Sequence, residues 1–196
     1  MTADAPGADP LEVFARWRAE SEGLVADPDA VALATATTDG RPSVRYVLMK
    51  GITDRGVRFY TNYASRKGAE LETNPHAAAV WFDAAHRRQV RVEGRVSRLP
   101  VAESDAYFAS RERGHQLGAV ASPQSAALVD RAALERALRD ATVRFEGRDV
   151  ERPTGWGGYL IDADEVELWL QQPDRLHDRF RYRRAPGGWS VVRLAP

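Results

Sequence analysis

Residues 31–50 read VALATATTDGRPSVRYVLMK. Two apolar, β-branched runs flank Asp39-Gly40, and such a pair between such runs is a strong hairpin signal, because both residues tolerate the positive φ of a tight turn. Working outward, GITDRG (51–56) turns the chain into a third strand, VRFYTN (57–62). AAAVWF (77–82) and RQVRVEGRVSRL (88–99) predict two more strands, joined at DAAHR (83–87). Near the end, GGYLIDADEVELWLQ (157–171), RLHDRFRYRR (175–184) and WSVVRLAP (189–196) predict another three, with Pro186-Gly187-Gly188 as the last turn.

Helices fit between these strands. Asp9 as N-cap and Pro10 at the first helical position open a helix whose apolar stripe is Leu11, Phe14, Trp17 and Leu24 and which ADPDA (26–30) ends. SRKGAELETN (65–74) predicts a short helix capped by Ser65, and AESDAYFASR (102–111) another. GHQLGAVASPQS (114–125) reads as irregular, and DRAALERALRDATVRFEG (130–147) as an amphipathic helix starting near Asp130. Residues 1–9 read as a disordered tail and 10–196 as a single domain. Many strands joined by short turns, with helices inserted late, predict an α+β chain, mainly antiparallel β: a barrel with flanking helices. The strand–helix alternation of a doubly wound sheet is missing, as is any Gly-rich dinucleotide or phosphate loop.

Lys plus Arg and Asp plus Glu balance at 28 each, so no global positive field attracts nucleic acid. With no cysteine there is no disulfide, thiolate nucleophile or thiolate-bound metal, which fits a reducing cytoplasm. No apolar run approaches the roughly 20 residues that span a bilayer, so neither membrane nor nucleic acid is expected as a partner. The four histidines (His76, His86, His115, His177) show no metal-ligand spacing, and no nucleophile has an obvious base.

Basic residues stand in odd places instead. Arg66 and Lys67 follow Ser65 in the first turn of a helix, where they oppose the macrodipole. A phosphate docked there would turn that cost into a gain, although a solvated surface turn is the commoner fate of such a pair. RYVLMK (45–50) has basic residues at both ends, which strict alternation puts on opposite faces; only a bulge or an edge lets Arg45 and Lys50 share a ligand. Tyr107 and Arg111 stand four apart, fit for a phosphate or for an ordinary surface pair. Finally, Arg175, His177, Arg179, Arg181 and Arg183 alternate along one face of a predicted strand, a row that repels itself unless anions oppose it.

Taken in order, RPSVRYVLMKG, GVRFYTNYASRKGAEL, RRQVRVEGRV, SDAYFASRERG, QLGAVASPQS, WGGY and RLHDRFRYRR…W…RLAP resemble the pyridoxamine 5′-phosphate oxidase family from about Pro10 to Pro196. The resemblance implies an FMN-binding split β-barrel and a homodimer with FMN at the subunit interface. It also implies an oxidase that converts pyridoxamine or pyridoxine 5′-phosphate to pyridoxal 5′-phosphate with O2, releasing hydrogen peroxide. Carried onto this sequence, the family's FMN contacts fall on Arg45, Tyr46, Val47, Leu48, Lys50, Tyr60 and Thr61, and on Arg66 and Lys67 for the phosphate. Gln89, Gln124, Ser125, Trp169 and Arg179 complete that set. Lys50, Tyr107 and Arg111, with His115 where a serine is usual, fall on the substrate phosphate site. Arg175 and His177 fall on the catalytic pair that orients the substrate ring. Arg181 and Arg183 receive no ligand and are expected to be solvated or paired with acidic neighbours.

The sequence departs from the family pattern at His115, at Val120 in place of a tryptophan, in WLQQP after Trp169, and in lacking a basic, tyrosine-containing N-terminal segment. These departures fall mostly on the substrate side. Two alternatives therefore stay open: a related FMN oxidase acting on another ring, of the phenazine-biosynthesis type, and a flavin-binding protein without turnover.

Overall fold

The computed structural model describes residues 5–196. Asp9 caps helix α1 (Pro10–Glu20), its carboxylate accepting from the Leu11 N–H at 2.8 Å. The Asp39-Gly40 turn, with Gly40 at φ 83°, joins strands β1 (Ala30–Ala36) and β2 (Pro42–Ile52) in an antiparallel register running from Ala36 opposite Pro42 to Ala30 opposite Leu48. β3 (Gly56–Asn62), β4 (His76–Asp83), β5 (Arg88–Arg98), β6 (Trp156–Leu170), β7 (Asp178–Ala185) and β8 (Gly188–Leu194) follow.

These strands form one antiparallel sheet ordered β3-β2-β1-β4-β5-β6-β7-β8, and β3 also pairs with β6. The first six strands of that order thus close into a barrel, which removes exposed edges. β6 is the branch point. Its residues 156–162 pair with β3 and 165–170 with β7, while β5 runs along its other side. A strand that serves two neighbours in succession is what splits the barrel.

Inward-facing Leu33, Val90, Val166 and Leu168 are fully buried, and α1 closes one end with Phe14 against Trp81 at 5.4 Å between ring centroids. Each such side chain contributes roughly 1.5–3 kcal/mol on burial. Helices α2 (Arg66–Thr73), α3 (Val101–Ser110), α4 (Arg113–Ala121) and α5 (Arg131–Arg144) flank the barrel, and Phe108, Leu117, Ala141, Phe145 and Trp156 form a smaller second cluster beneath three of them. Ser65 and Asp130 cap α2 and α5 as expected.

The structure corrects four expectations. α1 ends at Glu20, so Leu24 lies outside its stripe and is exposed. The stretch read as irregular from 114 is helical as far as Ala121; its two glycines mask a helix that Gln116 anchors by donating to the Phe108 and Ala109 carbonyls. Arg111 is the residue after α3 rather than part of it, with extended backbone. RLHDRFRYRR is not one strand: Pro173–Arg175 form a 3-10 turn with Asp174 and Arg175 at positive φ, and β7 starts only at Asp178.

Of the nine residues read as a tail, 1–4 lie outside the described residues. Ala5 packs against the barrel core, and Tyr182 Oη donates to the Gly7 carbonyl at 2.9 Å. Among the described residues no helix is long and apolar enough to cross a membrane.

Candidate functional site

A cleft of about 700 Å³ opens between β2, β3, the start of α2 and the α3–α4 region. Its floor begins at α2. Gly68 lets this helix seat directly on the chain leaving β3, since a Cβ there would lie 2.1 Å from the Tyr63 carbonyl oxygen. That seating buries Lys67, which is only 7% exposed. Its ammonium donates to Thr61 Oγ1 at 3.0 Å and Ser65 Oγ at 3.3 Å and meets no carboxylate among the described residues. Burial, and then the charge of Arg45, lower its pKa from 10.5 to about 8. A buried cation held by neutral hydroxyls beside a guanidinium suits an anionic ligand.

Beside it, Arg45 and Arg66 enter the cleft from β2 and α2. Arg66 Nε donates to Glu70 Oε1 at 2.9 Å, and Arg45 Nη2 lies 3.4 Å from Glu70 Oε2. Gln124 closes the near wall, its Oε1 accepting from Thr61 Oγ1 at 2.8 Å and from the Asn62 N–H at 3.2 Å. Ser125 follows at φ 72°. Lys50 reaches the same cleft as Arg45, and β2 carries the required irregularity: its register with β3 shifts between Met49 and Ile52.

The far wall is aromatic. Tyr60 stacks on Tyr107 at 3.9 Å, and Trp156 lies parallel to both at 5.7 and 6.2 Å. The Arg111 guanidinium sits 4.8 Å from the Trp156 ring, with its Nη1 buried and unpartnered. Burial pushes the Arg111 pKa below the usual arginine value. This is a second cation suited to an anion. His115 lines an adjoining recess of about 430 Å³ with Lys50, Tyr107 and Arg111, and Lys50 also pairs with Asp29 at 3.3 Å.

Thirteen of the expected residues therefore share one cleft: Arg45, Tyr46, Val47, Leu48, Lys50, Tyr60, Thr61, Arg66, Lys67, Tyr107, Arg111, Gln124 and Ser125. Six do not line it: His115, which lines the adjoining recess, and Gln89, Trp169, Arg175, His177 and Arg179, of which the last three stand on or just before β7. Gln89, Trp169 and Arg179 are cross-strand neighbours, with Gln89 opposite Trp169 and Trp169 opposite Arg179. The His177 ring packs 4.7 Å from Trp169, and its Nδ1 accepts from the Gln172 N–H at 3.2 Å. That bond uses Nδ1 as an acceptor and leaves Nε2 available to a ligand. Arg179 is held by Glu167 through two hydrogen bonds, of 2.7 and 3.1 Å. Arg183 donates to Glu165 at 2.8 Å, whereas Arg181 faces the same carboxylate at 3.9 Å, within ion-pair range, with its Nε making no hydrogen bond.

Sequence reasoning assigned no role to Trp156 or Glu70. The signal for Trp156 was its place in WGGY; for Glu70 it was the i,i+4 spacing from Arg66.

A closed barrel with a branching strand, and a cleft in which Lys67 and Arg111 have no carboxylate partner among the described residues, define a split-barrel protein built for anionic ligands. Comparison narrows this. A family model described as pyridoxamine 5′-phosphate oxidase matches residues 18–145. Another, described as the pyridoxine 5′-phosphate oxidase C-terminal dimerisation region, matches residues 156–196. The chain belongs to the pyridoxamine 5′-phosphate oxidase family. It is 52% identical to a pyridoxine/pyridoxamine 5′-phosphate oxidase of Salinibacter ruber, covering 100% of this chain and 93% of that protein. It is 50% identical to one of Rubrobacter xylanophilus, covering 100% and 91%.

Among solved structures, PhzG from Burkholderia lata, in complex with tetrahydrophenazine-1-carboxylic acid, matches with a TM-score of 0.91 at 35% identity, covering 98% of this chain and 95% of that one. A pyridoxamine 5′-phosphate oxidase-related, FMN-binding protein from Nostoc punctiforme shares the fold, with a TM-score of 0.77 at 19% identity over 97% and 100%.

Proposed function

We propose that this protein is an FMN-dependent oxidase converting pyridoxamine or pyridoxine 5′-phosphate to pyridoxal 5′-phosphate, with O2 as acceptor and hydrogen peroxide as second product. The observation that carries this reading is the pair of cations in one cleft, Lys67 and Arg111, with no carboxylate partner among the described residues. Two phosphorylated molecules, a cofactor and a substrate, need two such seats. The names of relatives about half identical over the whole chain support the same chemistry.

The residues fit FMN. Lys67, Arg66 and Arg45, with Ser65 and the first N–H groups of α2, would hold its phosphate. Tyr46, Val47, Leu48, Lys50, Tyr60, Thr61, Gln124 and Ser125 would line the remainder. When bound, FMN supplies a two-electron acceptor that O2 restores. The protein contributes position and charge. Lys50, Tyr107, Arg111 and His115 hold the substrate phosphate, while the Tyr60–Tyr107–Trp156 stack keeps water from that side of the cleft. No covalent nucleophile is required.

Gln89, Trp169, Arg175, His177 and Arg179 form a second group away from this cleft. In our reading a second copy of the chain delivers them, as a homodimer with the flavin at the subunit interface. The match of residues 156–196 to a dimerisation region supports that arrangement. Arg175 and Nε2 of His177 then orient the substrate ring in a near-attack pose. We place the enzyme in the cytoplasm, a reading that rests on its cysteine-free composition.

The direct test is aerobic turnover of the FMN-loaded protein with pyridoxamine 5′-phosphate, following pyridoxal 5′-phosphate and hydrogen peroxide together. Equal amounts of both are expected. Flavin binding with no turnover of either phosphorylated vitamer would sink the proposal. Turnover of a reduced phenazine carboxylate in its place would move the assignment to the other ring class.

A further inference from the structure

Glu70 is a carboxylate where the function calls for cations. It stands on α2, four residues after Arg66, and is only 6% exposed. It does not line the cleft, although Ser43, Arg45 and Arg66, all of which touch it, do. Both of its oxygens are used. Oε2 accepts from Thr35 Oγ1 at 2.5 Å and Ser43 Oγ at 2.6 Å and faces Arg45 Nη2, while Oε1 accepts from Arg66 Nε. One side chain thus gathers groups from β1, β2 and α2.

We propose that Glu70 is a positioning residue for phosphate recognition, tying Arg45 and Arg66 to one buried carboxylate behind the cleft. Arg66 is two-thirds exposed and has many rotamers; free in solvent it would offer a phosphate little. Held through Nε, it keeps its two terminal nitrogens for a ligand. Arg45 is oriented by the same network, with Nη1 on Thr35 and Nη2 on Ser43, the two hydroxyls that also bond Glu70. Burial alone would raise the Glu70 carboxyl pKa. Hydrogen bonds from Ser43, Thr35 and Arg66, and the charge of Arg45, hold it at about 2 instead, so the clamp is ionised at neutral pH. This inference rests on the reading that the FMN phosphate sits at Lys67 and Arg66.

The test compares two flavins that differ only in the phosphate. FMN-free protein is titrated with FMN and with riboflavin, following quenching of flavin fluorescence. The wild-type protein is expected to favour FMN strongly. Glu70→Gln is expected to lower FMN affinity by about tenfold or more while riboflavin affinity stays near its wild-type value. Glu70→Asp keeps the charge but withdraws it by one methylene; it should show the same selective loss to a smaller degree, and it carries the test if the glutamine variant does not fold.

A wild-type protein that fails to favour FMN would overturn the phosphate seat itself and the inference with it. If the wild type does favour FMN, three results would overturn the inference alone. These are unchanged FMN affinity in the variants, tighter FMN binding, and equal losses for both flavins. Tighter binding would mean that Glu70 acts as an opposing charge, and equal losses that it merely supports the fold.

Discussion

Two groups of basic residues in this molecule look alike in sequence and differ in what opposes them. Along β7, Arg179 is met by Glu167, and Arg181 and Arg183 by Glu165, each glutamate standing on the neighbouring strand β6. In the cleft, Lys67 meets only hydroxyls and Arg111 an aromatic face, and among the described residues neither has a carboxylate within 4 Å. A row of like charges along a strand therefore does not by itself call for a ligand when the next strand supplies carboxylates, and Arg179 is assigned to the flavin site by the dimer reading rather than by want of a partner. A single cation buried among neutral groups does call for one, because desolvation that protein does not offset must be offset by what binds.

The contrast can be broken first at Lys67. Lys67→Met should weaken FMN binding by about 10–100-fold. The FMN-free protein should melt at the same temperature or higher, since a cation disfavoured by burial is gone. A clear fall in the melting temperature of FMN-free protein would show that Lys67 is structural. Next comes Arg111. Arg111→Leu should raise KM for pyridoxamine 5′-phosphate by about tenfold with FMN affinity near wild type. Loss of flavin would move Arg111 to the cofactor side.

pH sharpens the same point. Because Lys67 loses its proton at about 8 in the ligand-free protein and a phosphate would raise that value, binding takes up a proton above that pH. FMN affinity should be level just below about pH 8 and fall above it by up to about tenfold per unit. The effect on folding has the opposite sign. The folded chain binds fewer protons than the unfolded one between about 8 and 10.5, so this group's cost to the FMN-free protein fades across that window. Affinity that holds or rises above pH 8 would contradict the assignment. The smallest effect is expected on β7. Arg183→Ala should shift stability by less than about 1 kcal/mol and leave turnover unchanged; altered flavin binding would show that the paired row also serves the ligand.

What could be read from sequence was local. Asp9-Pro10, Asp39-Gly40, Ser65 and Asp130 each announce a cap or turn within four residues, and each lies where expected. Barrel closure was not legible in detail, because it pairs Tyr60 with Gly158 across about a hundred residues, with no local residue to mark it. The 3-10 turn at Pro173–Arg175 escaped because period-two alternation continues through it by coincidence. In the site, Arg66 and Lys67 stood out as charges on the wrong end of a helix. Glu70 gave only its spacing from Arg66, since its partners Thr35 and Ser43 come from strands that only the fold brings near. Residue patterns alone could not separate the Gln89–Trp169–Arg179 row from the cleft of the same chain.

The most direct measurement is anaerobic mixing of the FMN-loaded protein with pyridoxamine 5′-phosphate and, separately, with unphosphorylated pyridoxamine, watching the flavin absorbance. The account predicts rapid bleaching by the phosphorylated amine and bleaching only at far higher concentrations of the other. Equal bleaching by both would contradict the second phosphate seat at Arg111, and no bleaching by either would contradict the proposed oxidase.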